Sequence, residues 1–371
     1  MRTHPYSVAY GLGAVMSLQH TASKLAAKRI LVVCGERSLA ASGAQPAITQ
    51  LEQQSAVVRW SDFSPNVSID DLTRGVDTAR DVAPDLIIGV GGGSAMDMAK
   101  LISFSTTTAV NGRDIAEVVA TSPAPVTQPA PLMLVPTTSG SGSEATHFAV
   151  AYIGSEKFSV AHPSMYATHV ILDPHLVRSG SAHQRATSGI DAVCQAIESW
   201  WARGATSASR RVARHSLGYL LRSIREFVDD ATPTAAQAMT IGSHLAGRAI
   251  DVSKTTGAHA LSYHLTSSYS IDHGNAVALT LGRFIEAHSR SERPDVVAAM
   301  SGIMTLLGAR DGASARAAFE RLVNDIGLRS DVRDVVTTDD TRRTWLSTVN
   351  AQRMSNNPVD LSDTDLLELV S

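Results

Sequence analysis

Gly89-Val90-Gly91-Gly92-Gly93-Ser94-Ala95-Met96-Asp97 follows the apolar run Asp85-Leu86-Ile87-Ile88 and opens a segment of helical character over residues 95–104. The order is strand, glycine turn, helix start. Lacking side chains, the glycines let backbone N–H groups come close to a diphosphate, and the new helix aims the positive end of its dipole at that charge. The stretch therefore predicts a nucleotide site at the end of a β-strand; the competing reading is an ordinary tight strand-to-helix turn. Ser94 breaks the G-x-G-x-x-G spacing, so the standard Rossmann fingerprint is absent.

Outward from this turn, short β-branched runs alternate with helical stretches. Arg29–Cys34 reads as a buried strand, residues 46–54 as a helix with proline in its first turn, Ala56–Trp60 as a strand and Ile69–Val82 as a helix before the strand that ends at Val90. Residues 131–135 repeat the pattern, and Phe148–Ile153 and His169–Leu172 read as later strands. Such alternation implies βαβ units and a mostly parallel sheet whose strand ends carry the ligand site. The Pro-rich stretch 121–131 reads as a surface spacer. From about Ser181 the texture changes to Ala, Leu, Arg and Ser at helical spacing, over residues 184–202, Ser207–Asp229, 233–251 and 256–268, with three or four further helices predicted beyond. Breaks fall at Gly257, at the Asp272-His273-Gly274 turn and at Pro294. A chain of 371 residues is long for one core. We therefore expect two domains: an α/β dinucleotide-binding domain over residues 1–180 and an all-helical metal and substrate domain over residues 181–371.

Composition narrows the partners. A hydrophobic share of 44%, a charged share of 18% and a net charge of −3 suit a globular protein, with no basic field for nucleic acid and no polybasic arm for a membrane. Cys34 and Cys194 stand far apart without metal-knuckle spacing, which argues against a disulfide framework and fits a reducing cytoplasm. No secretory h-region or membrane-length apolar run is seen.

Three constellations carry chemistry. Asp191 and Gln195 stand four apart, on one face of a helix. Asp191 lies among Ile190, Ala192 and Val193, a costly place for a carboxylate unless a cation compensates it; the alternative is a helix cap after Gly189. His259 and His273 are each bounded by small residues. One histidine in an apolar context is more often a hydrogen-bonded core residue than a ligand. Two with an aspartate offer the 2-His-1-carboxylate set that suits Fe(II), and also Zn(II). The loop Pro136-Thr137-Thr138-Ser139-Gly140-Ser141-Gly142-Ser143-Glu144 follows a strand with hydroxyl and N–H donors able to hold a ribose, diphosphate or amide; a flexible linker is the other reading.

Together these segments resemble the iron-containing alcohol dehydrogenase family, which shares the dehydroquinate synthase-like architecture of an α/β nucleotide domain followed by a helical metal domain. The resemblance runs through residues 91–97, 136–144, 191–198, His259 and His273-Gly274, in the family's order. It implies that Gly91, Gly92, Gly93, Ser94, Asp97, Thr137, Thr138, Ser141 and Lys157 meet the dinucleotide, and that Asp191, His259 and His273 hold a divalent metal. The chain departs from the family at Gln195, where most members have a histidine ligand; its amide oxygen is a weaker donor, which either ligates or leaves three protein ligands and water. It departs again at Tyr263, where many relatives place a proton-relaying histidine. Tyr263 and His264 are the substitutes considered, against a packing role for both. The wording of residues 191–199 and 253–263 resembles the phosphonoacetaldehyde reductase branch, which makes 2-hydroxyethylphosphonate during phosphonate natural-product synthesis. A phosphonate needs a cation or a ring of N–H donors. Lys254 is placed to supply one, unless it is simply a solvated helix residue; Arg353 and the Asn356-Asn357-Pro358 turn are weaker candidates.

The implied chemistry is hydride transfer from a nicotinamide to an aldehyde, with a Lewis-acidic metal. After Cys34, Glu36 suits a ribose 2′-OH and so NAD(H), while Arg37 suits a 2′-phosphate and so NADP(H); both remain open. The absence of a G-x-S-x-G elbow argues against a serine hydrolase. The rival readings are a glycerol or general alcohol dehydrogenase, a dehydroquinate synthase-like lyase, and a non-catalytic nucleotide-binding protein whose metal site has decayed. A homodimer is expected.

Overall fold

The computed structural model describes residues 6–108, 114–154, 156–349 and 354–371. It forms two compact units, one ending at Gly180 and the other comprising Ser181–Ser371 together with Ser139–Gly142.

In the first unit the strands β1 (Ser7–Tyr10), β2 (Arg29–Cys34), β3 (Ala56–Trp60), β4 (Leu86–Gly91), β5 (Leu132–Pro136) and β8 (His169–Leu172) make one parallel sheet in the order β1-β8-β5-β4-β2-β3. The central strands are apolar without a break because helices cover both faces, α1 (Leu18–Lys24), α2 (Glu36–Ser42) and α3 (Gln45–Glu52) on one and α4 (Ile69–Val82), α5 (Gly93–Thr108) and α6 (Ile115–Thr121) on the other. Their side chains alternate between two cores: Leu31, Val33, Ile87, Leu132 and Leu134 enter one, and Ile30, Val32, Cys34, Ile88 and Val135 the other. From β2 the chain steps outward to β3; from β4 it steps the opposite way, to β5. That reversal makes the carboxyl ends of β2 and β4 the topological switch point, where α/β sheets bind ligands. The register Cys34↔Val90 and Gly91↔Pro136 sets the turns after β2, β4 and β5 side by side.

Three strands differ from expectation. Phe148–Ile153 (β6) stands apart from the parallel sheet as an antiparallel hairpin with β7 (Glu156–Ala161), and neither β7 nor β1 has a counterpart in the sequence reading. Both β1 and β7 are half-exposed, so neither presents the apolar run of a buried strand.

The second unit is helical. Helix α7 (Ala182–Trp201) is capped by Ser181, whose hydroxyl accepts from Gln184 N; α8 (Ser207–Asp229) starts in a Thr206/Ser209 capping box; α9 (Pro233–Ser253) has proline in its first turn. Helices α10 (Gly257–Tyr269) and α11 (His273–His288) follow, then four more: Pro294–Leu307, Gly312–Asp325, Asp339–Ser347 and Asp363–Val370. Beyond residue 268 there are thus five α-helices among the described residues, more than the expected three or four. Asp191 lies in the middle of α7, which removes the capping alternative. No helix among the described residues is long and apolar enough to cross a membrane.

Candidate active site

On the nucleotide side, Gly91 has φ +154°, and a Cβ there would lie 2.7 Å from Ala95 Cβ, so only glycine suits the turn into the helix Gly93–Thr108. Thr137 N donates to Gly91 O at 2.9 Å, tying the second loop to the first. Ser94 Oγ accepts from Asn66 N at 3.3 Å. Glu36 and Arg37 are exposed and open the helix Glu36–Ser42 directly after β2, next to the glycine turn in the sheet. Lys157 lies on β7. Ser141 belongs to the stretch 139–142 of the helical unit, where Ser243 Oγ donates to Gly140 O at 3.1 Å.

Asp97 is engaged by the protein itself, accepting from Ser143 Oγ and from Val150 N at 3.0 Å. Burial pushes its carboxyl up, opposed chiefly by the charge of Lys100. Lys100 is fully buried, and its ammonium donates to Ser143 O, Ser143 Oγ, Thr146 Oγ1 and Phe148 O. Sequence reasoning passed over Lys100. A lysine three residues after Asp97, inside an apolar helix, was the available signal.

On the metal side, Asp191 and Gln195 are buried on α7, and Gln195 Nε2 donates to Asp191 Oδ2 at 2.9 Å. His259, in the first turn of α10, points Nε2 at Asp191 Oδ1 from 3.5 Å; His273, the first residue of α11, does so from 3.9 Å. One ligand atom from each of the three lies within 4.8 Å of the others. A tetrahedral ion with bonds of about 2.1 Å spaces its ligands by roughly 3.4 Å, so the cluster is close to the span required. Gly274 makes the approach possible: a Cβ there would lie 2.0 Å from Thr187 O and 3.0 Å from Asp191 Cβ. Gln195 Oε1 is buried with no hydrogen-bond partner among the described residues, an orphaned acceptor on the residue bonded to Asp191. Two imidazoles, a carboxylate and an unsatisfied amide oxygen fit a divalent first-row ion.

Behind this cluster stands Glu198, fully buried, which sequence reasoning left without a role. It accepts from His259 Nδ1, from Thr256 N at 3.0 Å, from Thr256 Oγ1 at 2.8 Å and from His259 N at 3.3 Å. Burial lowers the His259 imidazole, but the charges of Glu198 and Asp191 beside it and the bond to Glu198 outweigh it, and it is pushed up to about 10.

The remaining predicted residues separate. The Tyr263 ring lies parallel to His273, 6.3 Å away with 16° between planes. His264 turns instead to its own helix, with Nδ1 3.4 Å from Ser268 Oγ and its ring against Tyr269. Lys254 ends α9 at φ 62°, ψ 174°, a conformation that side-chain-bearing residues rarely adopt, and its Nζ is 3.4 Å from Asp251 O. The side-chain amides of the Asn356–Pro358 turn donate within the protein. Asn356 Nδ2 donates to Ser253 O and Thr255 O while its Oδ1 accepts from Gly204 N, and Asn357 Nδ2 donates to His288 Nε2 and Val359 O. The Asn356 amide thus holds the chain ahead of α10, and that of Asn357 holds His288 of α11 and its own turn. Arg353 lies outside the described residues.

Known proteins align with both units. Residues 5–174 match the family described as iron-containing alcohol dehydrogenase, and residues 185–371 match the C-terminal part of the Fe-containing alcohol dehydrogenase family. The chain is 32% identical over 327 residues to long-chain-alcohol dehydrogenase 1 of Geobacillus thermodenitrificans, covering 86% of this chain and 82% of that protein. It is 30% identical over 297 residues to phosphonoacetaldehyde reductase of Streptomyces viridochromogenes, covering 75% and 73%. Among solved structures it is similar to sulfoacetaldehyde reductase of Bifidobacterium kashiwanohense in complex with NAD+, with a TM-score of 0.91 at 26% identity over 99% of this chain and 96% of that one.

Proposed function

The chain belongs to the iron-containing alcohol dehydrogenase family, and from that premise we propose that it reduces phosphonoacetaldehyde to 2-hydroxyethylphosphonate with NAD(P)H and a divalent metal. The observation that carries the metal-dependent part is the convergence of Asp191, His259 and His273, with the orphaned amide oxygen of Gln195 beside them. The substrate rests on the similarity to a phosphonoacetaldehyde reductase and a sulfoacetaldehyde reductase, both named for two-carbon aldehydes that carry a tetrahedral anion, and on Lys254.

In this reading Asp191, His259 and His273 would hold Fe(II) or Zn(II), with Gln195 Oε1 as a further, weaker donor. When bound, the ion supplies Lewis acidity at the carbonyl oxygen and the dinucleotide supplies the hydride. Gly91, Gly92, Gly93, Ser94, Thr137, Thr138, Ser141 and Lys157 bind the dinucleotide, Asp97 positions the second loop through Ser143, and Glu36 or Arg37 meets the ribose. Lys254 pairs its ammonium with the phosphonate. Tyr263, stacked on His273, gives the product oxygen its proton. His264 has no part in this reading, because its contacts lie on its own helix.

Two buried free thiols, Cys34 and Cys194, favour a reducing cytoplasm. A homodimer is supported by β1, an edge strand followed by apolar exposure at Leu12 and Met16 beyond Val8 and Tyr10; sedimentation of the full chain as a monomer would count against it.

The deciding assay pairs phosphonoacetaldehyde, sulfoacetaldehyde and propanal with NADH and NADPH, with Fe(II) or Zn(II) added, for the wild type and Lys254→Met. We expect the highest kcat/KM with phosphonoacetaldehyde, and a loss in the variant on the order of tenfold or more for the anionic aldehydes only, as for a charge-assisted hydrogen bond. Equal losses on propanal would remove Lys254 from recognition. A preference for propanal in the wild type would make the enzyme a general alcohol dehydrogenase.

A further inference from the structure

We propose that Glu198 is a positioning residue that keeps a hydrogen on His259 Nδ1 and so reserves Nε2 for the metal; this rests on the metal-site reading above. Glu198 follows Asp191 by seven residues, two helical turns, so both carboxylates face the same side of α7. Thr256, the N-cap of α10, makes no side-chain cap bond within its own helix. The carboxylate of Glu198 does that work from a neighbouring helix, taking the N–H groups of Thr256 and His259 on Oε1, where the helix dipole favours negative charge. Thr256 Oγ1 also donates to that oxygen and is itself held by Trp201 Nε1 at 3.0 Å.

With Oε1 occupied by three donors, Oε2 is left for His259 Nδ1. A carboxylate only accepts there, so Nδ1 must carry hydrogen, and the lone pair that binds a metal is confined to Nε2, the atom directed at Asp191 Oδ1. Glutamine at 198 separates the two tasks. Its amide oxygen can keep the cap, but its NH2 group then faces Nδ1, which must accept, and hydrogen moves to Nε2, where it blocks ligation.

The test uses the full chain loaded with Zn(II), with histidine side chains labelled with 15N. The wild type should show a hydrogen on His259 Nδ1. Glu198→Gln should bind Zn(II) about ten- to hundredfold more weakly in competition with a chelator, lose the strongly hydrogen-bonded Nδ1–H signal, and keep wild-type NADH affinity. Glu198→Asp, which retains the charge, should recover part of the Zn(II) affinity. Wild-type Zn(II) affinity in Glu198→Gln, or a His259 without hydrogen on Nδ1 in the wild type, overturns the proposal; the second observation decides even where the variant does not fold. A wild type that binds no Zn(II) and yet carries hydrogen on Nδ1 would refute the metal-site reading and the reservation of Nε2 with it, leaving Glu198 only as the acceptor of the Nδ1–H bond.

Discussion

His288 should make the stability of the helical unit depend on pH, with a sign fixed by its surroundings. Its ring lies 4.5 Å from Trp201, edge to face, and 5.6 Å from Phe284, and its Nε2 accepts from Asn357 Nδ2 at 3.1 Å. Only 1% of the residue is exposed, and burial pushes the imidazole down from 6.5 to about 3. The folded protein thus keeps His288 neutral where the unfolded chain takes up a proton. The stability it contributes is fully present above pH 6.5 and is lost as pH falls from 6.5 toward 3. Each pH unit within that window is worth about 1.4 kcal/mol, so moving from pH 7.5 to 5.0 removes about 2 kcal/mol through this one group. His288→Gln retains an acceptor for Asn357 but cannot titrate. It should lose about 1 to 3 kcal/mol at pH 7.5 from poorer packing, while the gap to wild type narrows by about 2 kcal/mol at pH 5.0. Urea unfolding followed by tryptophan fluorescence, with chelator present so that protons do not compete with metal, measures both. Comparing the two proteins cancels the other titrating groups. Parallel losses in wild type and variant between the two pH values would refute the argument.

Asp191→Ala should abolish activity and bound metal together; full metal loading in that variant would count against its assignment. Gly274→Ala puts a Cβ 2.0 Å from Thr187 O, so α11 must shift. A stability loss of about 1 to 3 kcal/mol is expected, with Zn(II) affinity falling and NADH affinity unchanged; an unaltered metal titration would contradict the close-packing role. Arg37→Ala should raise KM for NADPH but not for NADH if its guanidinium meets a 2′-phosphate. No change with NADPH would leave Glu36 and NAD(H).

The parallel sheet was legible because its central strands are buried on both faces and read as apolar runs bounded by glycine or proline. β1 and the hairpin strand β7 were not, since a half-exposed strand is recognised by its partner and the partner is distant in sequence. The convergence of Asp191, His259 and His273 could be expected from residue chemistry alone. That Asn356 and Asn357 are structural could not, because asparagine amides look the same whether they face an anion or the carbonyls of Ser253 and Thr255.

Glu198 shows most clearly what the sequence withheld. Two carboxylates stand two turns apart on α7, both inside apolar surroundings and both costly to bury. Their partners differ in kind. Glu198 faces hydrogen-bond donors from Thr256 and His259, so the protein itself compensates its charge. Asp191 Oδ1 faces two imidazole nitrogens at 3.5 and 3.9 Å, longer than ordinary hydrogen bonds and near the spacing of ligands around a common ion. Which carboxylate the protein's own donors compensate and which one faces the imidazoles follows from those distances, and they depend on how α10 and α11 pack against α7. Spacing along α7 nominates both residues equally. The packing of the two histidine-bearing helices divides their surroundings, setting Asp191 beside two imidazole nitrogens and Glu198 against the donors of Thr256 and His259.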